Sequence, residues 1–210
     1  MMWIGGGSAS IFLLSILIVP KVIRGAPKAP ITEAVNNARQ IGMTLFAFET
    51  EYGRFPDGST AAPVLAKNGR TFTLSDRTSN DVFAQTLIAQ IAQSERMFYA
   101  EAKFTRRSDE IFSSDATILE HGECAFAYVS GLSATGDPDT PLVFGPVIPG
   151  TKTLDQKSCG GQVAVLCMDN SVRTYPISSA GKIILTNGLD LLDPRQPFWD
   201  GKAPDVKWPK

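Results

Sequence analysis

The chain has 210 residues, of which 43% are hydrophobic and 20% are charged, and its net charge is −1. This length and composition are typical of one globular domain with a workable apolar core. The 20 basic and 21 acidic residues leave no basic excess for neutralising phosphates, so nucleic acid is excluded as the expected partner.

The N-terminal segment is apolar. No charged side chain occurs among the first twenty residues, and residues 8–19 are their most hydrophobic part. About 20 apolar residues are enough to cross a bilayer as a helix. No basic residue precedes the run, and Pro20-Lys21-Val22-Ile23-Arg24 follows it, which favours a retained anchor over the alternative of a cleaved signal peptide. The sequence thus predicts an apolar membrane anchor and linker over residues 1–28 and a globular head over residues 29–210.

A helical pattern begins directly after the linker. Apolar residues recur at spacings of three and four from Ile31 onwards, which predicts an amphipathic stem helix over residues 30–52. Pro30 suits the first turn of this helix, while Gly53 and Pro56 are typical of its end. The apolar stripe is expected to pack beneath a sheet and to supply core side chains, namely Ile41, Leu45, Phe48 and Tyr52.

Strand patterns dominate the second half of the chain. Short apolar runs at residues 124–129, 142–148 and 162–168 predict three strands, which we arrange as a meander. A turn at Asp169-Asn170 is expected to join the third strand to a fourth, at residues 171–177, in a hairpin.

The stretches around these strands carry weaker patterns. A second helix is predicted over residues 80–93, with Ser79 or Asn80 as its N-cap. Residues 54–79 are typical of a loop, with one short strand at 71–74. The C-terminal stretch is predicted to be extended and held to the head by its aromatic side chains, Phe198, Trp199 and Trp208.

The three cysteines have no zinc-type spacing. They fit two interpretations, small buried hydrophobic side chains or one disulfide with a spare thiol. In the meander, the starts of the first and third strands share one end of the sheet. If an oxidising compartment forms any bond, we therefore expect Cys124 to pair with Cys159 and Cys167 to stay a buried thiol.

No group of residues predicts catalysis. His121 lacks a serine or cysteine motif around it and is predicted to be structural or exposed. Asp137-Pro138-Asp139 offers carboxylates to calcium, but a solvated loop is favoured. Trp199 and Trp208 are able to stack on sugars, although anchoring of the tail is favoured. We therefore predict no enzymatic activity, no catalytic residue, no cofactor and no metal.

The segment Asn36-Asn37-Ala38-Arg39-Gln40-Ile41-Gly42, followed by Tyr52-Gly53-Arg54-Phe55-Pro56, resembles the stem of type IV pilin-like proteins and type II secretion pseudopilins. The resemblance implies an α+β fold in which a long N-terminal helix, anchor plus stem, packs against a small antiparallel β-sheet. A standard prepilin cleavage motif is missing, because Gly7 precedes Ser8 and the first acidic residue is Glu33. The chain is therefore similar to a divergent member of that group.

The function that the resemblance implies is that of a non-enzymatic pilin-like or pseudopilin-like subunit of the cell envelope, with a structural, assembly or surface-interaction role. Its expected partners are the membrane, through the N-terminal segment, and other pilin-like subunits or an assembly system. The expected location is membrane-anchored with an extracytoplasmic head, periplasmic or at the cell surface. Lys21, Arg24 and Lys28 oppose this location, because the positive-inside rule keeps such residues in the cytoplasm. The alternative function is a membrane-anchored extracytoplasmic module that binds a ligand or glycan.

Overall fold

The computed structural model describes Met1, residues 30–69 and residues 71–210. In these ranges the chain forms three α-helices and one five-stranded antiparallel sheet. The helices and strands are α1 Pro30–Tyr52, α2 Ala61–Asn68, α3 Ser79–Ile88, β1 Ala127–Ser130, β2 Pro141–Gly145, β3 Gln162–Cys167, β4 Val172–Pro176 and β5 Asp205–Lys207. Apart from Met1, the anchor and linker predicted over residues 1–28 lie outside the described residues.

The strands lie in the order β4-β3-β2-β1-β5, and every neighbouring pair is antiparallel. The predicted meander is confirmed, because β2 lies between β1 and β3 and its Phe144 pairs with Ala127 on one side and Val165 on the other. The predicted β3–β4 hairpin is also confirmed. Its turn contains Asn170 at a φ of 62°, a left-handed conformation that asparagine adopts more readily than most residues.

One face of the sheet, which we call the inner face, packs against α1. The helix buries a continuous stripe that includes Ile41, Leu45 and Phe48, all with 0% exposure. Tyr52 is half-buried and stacks on Phe48, with 4.5 Å between the ring centroids. The predicted bounds of this helix are confirmed, because the spacing of its apolar residues matches one face of an α-helix and Gly53 caps its end with a φ of 78°.

The opposite face, the outer face, is covered by residues 177–210, which follow β4 and which we call the C-terminal segment. Val163, Val165 and Cys167 of β3 point to this side and pack with Leu191 and Trp199. Both faces of the central strands are therefore buried, which explains why β3 is a continuous apolar run and does not alternate with polar residues.

The second predicted helix is shorter than its pattern indicated and starts earlier. Helix α3 ends at Ile88 because the chain reverses there, with Gln90 at a φ of 60°. Its N-cap is Thr78, and neither Ser79 nor Asn80 has this role. The Thr78 side chain accepts a hydrogen bond from the Asp81 N–H at 3.3 Å, and the Asp81 carboxylate accepts one from the Thr78 N–H at 3.1 Å. This is a capping box, with aspartate at the position that glutamate usually occupies.

The loop predicted over residues 54–79 is partly wrong. It contains helix α2, which ends at Gly69 in a left-handed conformation. The strand predicted at residues 71–74 is not formed, because the Thr73 N–H donates to the Asp115 carboxylate at 2.9 Å and makes no ladder with a second strand.

The pilin-like fold class predicted from the sequence is wrong. The described residues show three separate helices and a five-stranded sheet covered on both faces, and no long helix that joins an anchor to the stem. Helix α1 begins at Pro30 and has 23 residues. Proline is favoured in the first turn of a helix because its missing N–H would be unpaired there.

The membrane, pilus and secretion interpretations are overturned with it, as is the predicted membrane-anchored extracytoplasmic location. None of the helices in residues 30–69 and 71–210 is both long enough and apolar enough to cross a bilayer. Helix α1 is the longest of them, and Arg39, Gln40 and Glu51 are exposed on its polar face.

Candidate ligand-binding site

A cavity of about 340 Å³ lies between the outer face of the sheet and the C-terminal segment. We call it the outer-face cavity. Its volume lies at the lower end of the range of small-molecule sites. Its walls come from four parts of the chain, with Asp137, Asp139 and Pro141 from the β1–β2 side, Val165 and Cys167 from β3, Arg173 and Tyr175 from β4, and Leu185, Thr186, Leu191, Pro197 and Phe198 from the C-terminal segment.

The register of the β3–β4 hairpin assembles the floor. Val165 pairs directly with Arg173, and Val163 pairs with Tyr175. Directly paired residues point to the same face of a sheet, so Arg173 and Tyr175 project to the outer side together with the apolar side chains of β3. The floor is therefore apolar at β3 and polar at the edge strand β4.

Buried polar side chains fasten the C-terminal segment that forms the roof. Gln196, which is 1% exposed, donates from Nε2 to the Asp190 carbonyl at 3.0 Å. The indole N–H of Trp199 donates to the Leu191 carbonyl at 2.7 Å. Both bonds lie within the C-terminal segment, so the protein's own contacts hold the roof in place.

One guanidinium, that of Arg173, and two carboxylates, those of Asp137 and Asp139, are the charged groups that line the cavity. Arg173 is an ion-pair partner of Asp139 at 2.6 Å and of Asp169 at 3.6 Å. The hydrogen bond with Asp139 raises the pKa of Arg173. The neighbouring Ser171, whose backbone N–H donates to the Asp169 carboxylate at 2.9 Å, lowers the pKa of Asp169, and Arg173 contributes in the same direction. Asp137 accepts a hydrogen bond from the Asp139 N–H at 2.8 Å and has no ion-pair partner among the described residues.

The thiol of Cys167 belongs to the apolar wall. The side chain is 2% exposed, and burial raises the pKa of Cys167 to about 11, with Arg173 opposing that rise. A thiol with such a pKa is protonated near pH 7 and is a poor nucleophile. Cys167 therefore acts in this site as a small hydrophobic side chain.

The other two cysteines lie in different surroundings. Cys124 is 3.7 Å from the Ser79 hydroxyl, and Cys159 donates to the Glu101 carbonyl at 3.6 Å. Burial raises the pKa of both thiols to about 12. All three cysteines are free in the structure, so the Cys124–Cys159 bond is not formed there, and its formation in an oxidising compartment stays a prediction.

The residues that the sequence suggested for catalysis or ligand binding do not lie together in one site. His121 is exposed and is not one of the residues that line the outer-face cavity. Asp137 and Asp139 do lie at this cavity, but no group of three or more His, Cys, Asp or Glu suited to a metal occurs in the described ranges. Trp199 is buried and its N–H is already bonded, while the half-buried Trp208 packs edge-on against Phe144.

The residues that complete the site were not recognised from the sequence. Arg173 and Tyr175 occupy alternate positions of a strand, which was the one available signal that they share a face. The core residues predicted for the stem, Ile41, Leu45 and Phe48, belong to the inner face and take no part in this site.

Comparison with known proteins gives no match to a family model, to a curated protein or to a solved structure. The segments that resemble pilin-like proteins have local structural roles in this chain. A Cβ atom at Gly42 would meet Asn170 in the β3–β4 turn, and Gly53 ends α1 with its N–H bonded to the Glu49 carbonyl at 2.7 Å.

Proposed function

We propose that this protein is a non-enzymatic binding module whose small-molecule ligand occupies the outer-face cavity. The observation that carries the proposal is the cavity itself, about 340 Å³ in volume, with apolar walls at β3 and in the C-terminal segment and charged groups from Asp137, Asp139 and Arg173. Binding sites for small molecules commonly combine these features.

The apolar walls supply the affinity in this proposal. Leu185 and Phe198 line the cavity and are partly exposed, so their side chains are open to a ligand. Removing about 200 Å² of apolar ligand surface from water contributes about 5 kcal/mol before the cost of association. Even before that cost, about 5 kcal/mol corresponds to a dissociation constant of about 0.2 mM, so a simple ligand is expected to bind with a dissociation constant of about 1 mM or weaker.

The chemistry of the lining favours binding over catalysis. The Cys167 thiol is protonated near neutral pH, and Arg173 is already paired with carboxylates. A catalytic nucleophile needs an adjacent base, and His121 lies elsewhere. An apolar ligand is also favoured over a glycan, because the Trp199 ring is packed into the core and is not free to stack on a sugar.

The proposal is tested by a ligand-observed NMR screen of small fragments against the full-length protein and two tryptophan variants. Leu185 lines the cavity and Ile184, its neighbour, does not. Leu185→Trp is expected to fill the cavity and weaken fragment binding at least tenfold. Ile184→Trp is the matched control and should bind as the parent does, since its side chain is 41% exposed.

Folding of both variants is checked by thermal unfolding before the screen. The proposal is overturned if no fragment binds the parent protein, or if every bound fragment binds equally well to folded Leu185→Trp.

A further inference from the structure

We infer that the ligand of the outer-face cavity is an apolar molecule that carries a protonated amine. This inference rests on the proposed binding function and adds the class of ligand. It is argued from the balance of charge at the mouth of the cavity and from the lining next to that charge.

The mouth carries an excess of negative charge. Two carboxylates, those of Asp137 and Asp139, line the cavity against the single guanidinium of Arg173, which Asp169 also contacts from outside the lining at 3.6 Å. A cation entering the cavity therefore meets a net attraction, while an anion meets a net repulsion. Electrostatic complementarity of this kind selects between ligands of similar shape.

Arg173 is poorly placed to receive an anionic ligand. Its NH2 group contacts Asp139 at 2.6 Å and Asp169 at 3.6 Å. A ligand carboxylate would have to displace one of these partners and would then lie beside it. Two carboxylates side by side repel each other, so the arrangement disfavours anions.

Asp137 is the carboxylate expected to hold the amine. Its hydrogen bond from the Asp139 N–H fixes the loop, and it has no ion-pair partner among the described residues. Phe198 and Tyr175 lie in the same lining. Aromatic faces attract organic cations as well as packing against apolar groups.

The test uses three probes of nearly equal shape and different charge, 2-phenylethylamine, 2-phenylethanol and 3-phenylpropanoate. Each is titrated into the full-length protein at pH 7 and low ionic strength. The amine is expected to bind about tenfold more tightly than the alcohol, and the carboxylate should bind most weakly. Higher salt should reduce the preference for the amine, because exposed charges are screened.

Two variants test whether the Asp137 carboxylate causes the preference for the amine. Asp137→Asn removes the charge but keeps the side-chain oxygen that accepts from the Asp139 N–H, so the loop should be preserved. It is expected to weaken amine binding about fivefold and leave alcohol binding unchanged. Asp200→Asn is the matched control, since Asp200 is exposed and does not line the cavity.

The outcomes separate this inference from the proposed function. Equal binding of the three probes, or tightest binding of the carboxylate, overturns the amine inference and leaves the binding function standing. An unchanged amine affinity in Asp137→Asn also overturns it. If none of the three probes binds and the fragment screen is empty, the binding function itself fails.

Discussion

Gly42 of α1 lies so close to Asn170 in the β3–β4 turn that a Cβ atom at position 42 would be 2.2 Å from Asn170 Oδ1. The same Cβ atom would be 2.9 Å from Cδ1 of Leu166. The helix therefore rests on the hairpin at a point where a Cβ atom fits only if the ends of the Asn170 and Leu166 side chains move aside. This contact connects the element that is clearest in the sequence with the strands that build the floor of the outer-face cavity.

Gly42→Ala is expected to lower the free energy of unfolding by about 1–3 kcal/mol, as overpacked substitutions do. The direction of this change is informative, because helix propensity alone favours alanine over glycine by about 1 kcal/mol and would stabilise the variant. Urea unfolding measures the effect. The double variant Gly42→Ala/Asn170→Gly should recover part of the loss, because it removes Oδ1. A Gly42→Ala variant more stable than the parent would show that the contact does not constrain the helix.

Leu45→Ala is expected to cost about 2–5 kcal/mol of stability, because Leu45 is fully buried between α1 and the sheet. The matched control is Met43→Ala on the same helix, where the side chain is 58% exposed and the change should stay within about 0.5 kcal/mol. Chemical unfolding of both variants checks the difference. Equal stabilities would contradict the position of α1 under the sheet.

Glu95 is a buried carboxylate with one unsatisfied oxygen. Its Oε1 accepts a hydrogen bond from the Leu119 N–H at 2.7 Å, while Oε2 has no partner among the described residues. Burial raises the pKa of Glu95 to about 7; the Leu119 N–H opposes the rise, and the nearby acidic groups Glu123, Glu110 and Asp109 add to it. The folded protein therefore holds this proton more tightly than the unfolded chain does.

Stability is expected to fall as pH rises from about 4.5, where unfolded glutamate titrates, to about 7, because the folded state binds the extra proton over that window. Glu95→Gln keeps an oxygen acceptor for the Leu119 N–H and removes the charge. Between pH 5 and pH 8 its stability relative to the parent should rise by about 1–3 kcal/mol. Urea unfolding at both pH values measures this difference, and a constant difference would contradict the assignment to Glu95.

The last three residues connect distant parts of the fold. The Trp208 carbonyl accepts from Ser79 N–H at 3.1 Å and the Lys210 carbonyl from Gly122 N–H at 3.0 Å, while Lys210 N–H donates to Asn80 at 2.9 Å. Removing residues 208–210 is expected to cost about 3 kcal/mol or more, at about 1 kcal/mol for each bond. Trp208→Phe keeps the backbone bonds and should cost clearly less. Thermal unfolding distinguishes the two, and equal losses would assign the effect to the indole alone.

Local patterns were sufficient for α1 and for the β3–β4 hairpin. The spacing of Ile41, Leu45 and Phe48 follows the period of a helix, and Asp169-Asn170 supplies turn chemistry between two strands. They were insufficient at residues 71–74, where a bond to Asp115 replaces strand pairing. They also misplaced the end of α3, where the N–H groups of Ile91 and Ala92 both donate to the Thr86 carbonyl at 3.0 Å and turn the chain back.

The sequence by itself determined the helix over residues 30–52 and the three central strands, because these depend on neighbours within a few residues. Only the tertiary structure decided what covers the outer face. The lining of the outer-face cavity extends from Asp137 to Phe198, and its members meet through strand register and the return of the C-terminal segment. The prediction of a pilin-like fold was wrong for the same reason, since a sequence motif in one helix does not specify how the rest of the chain packs around the sheet.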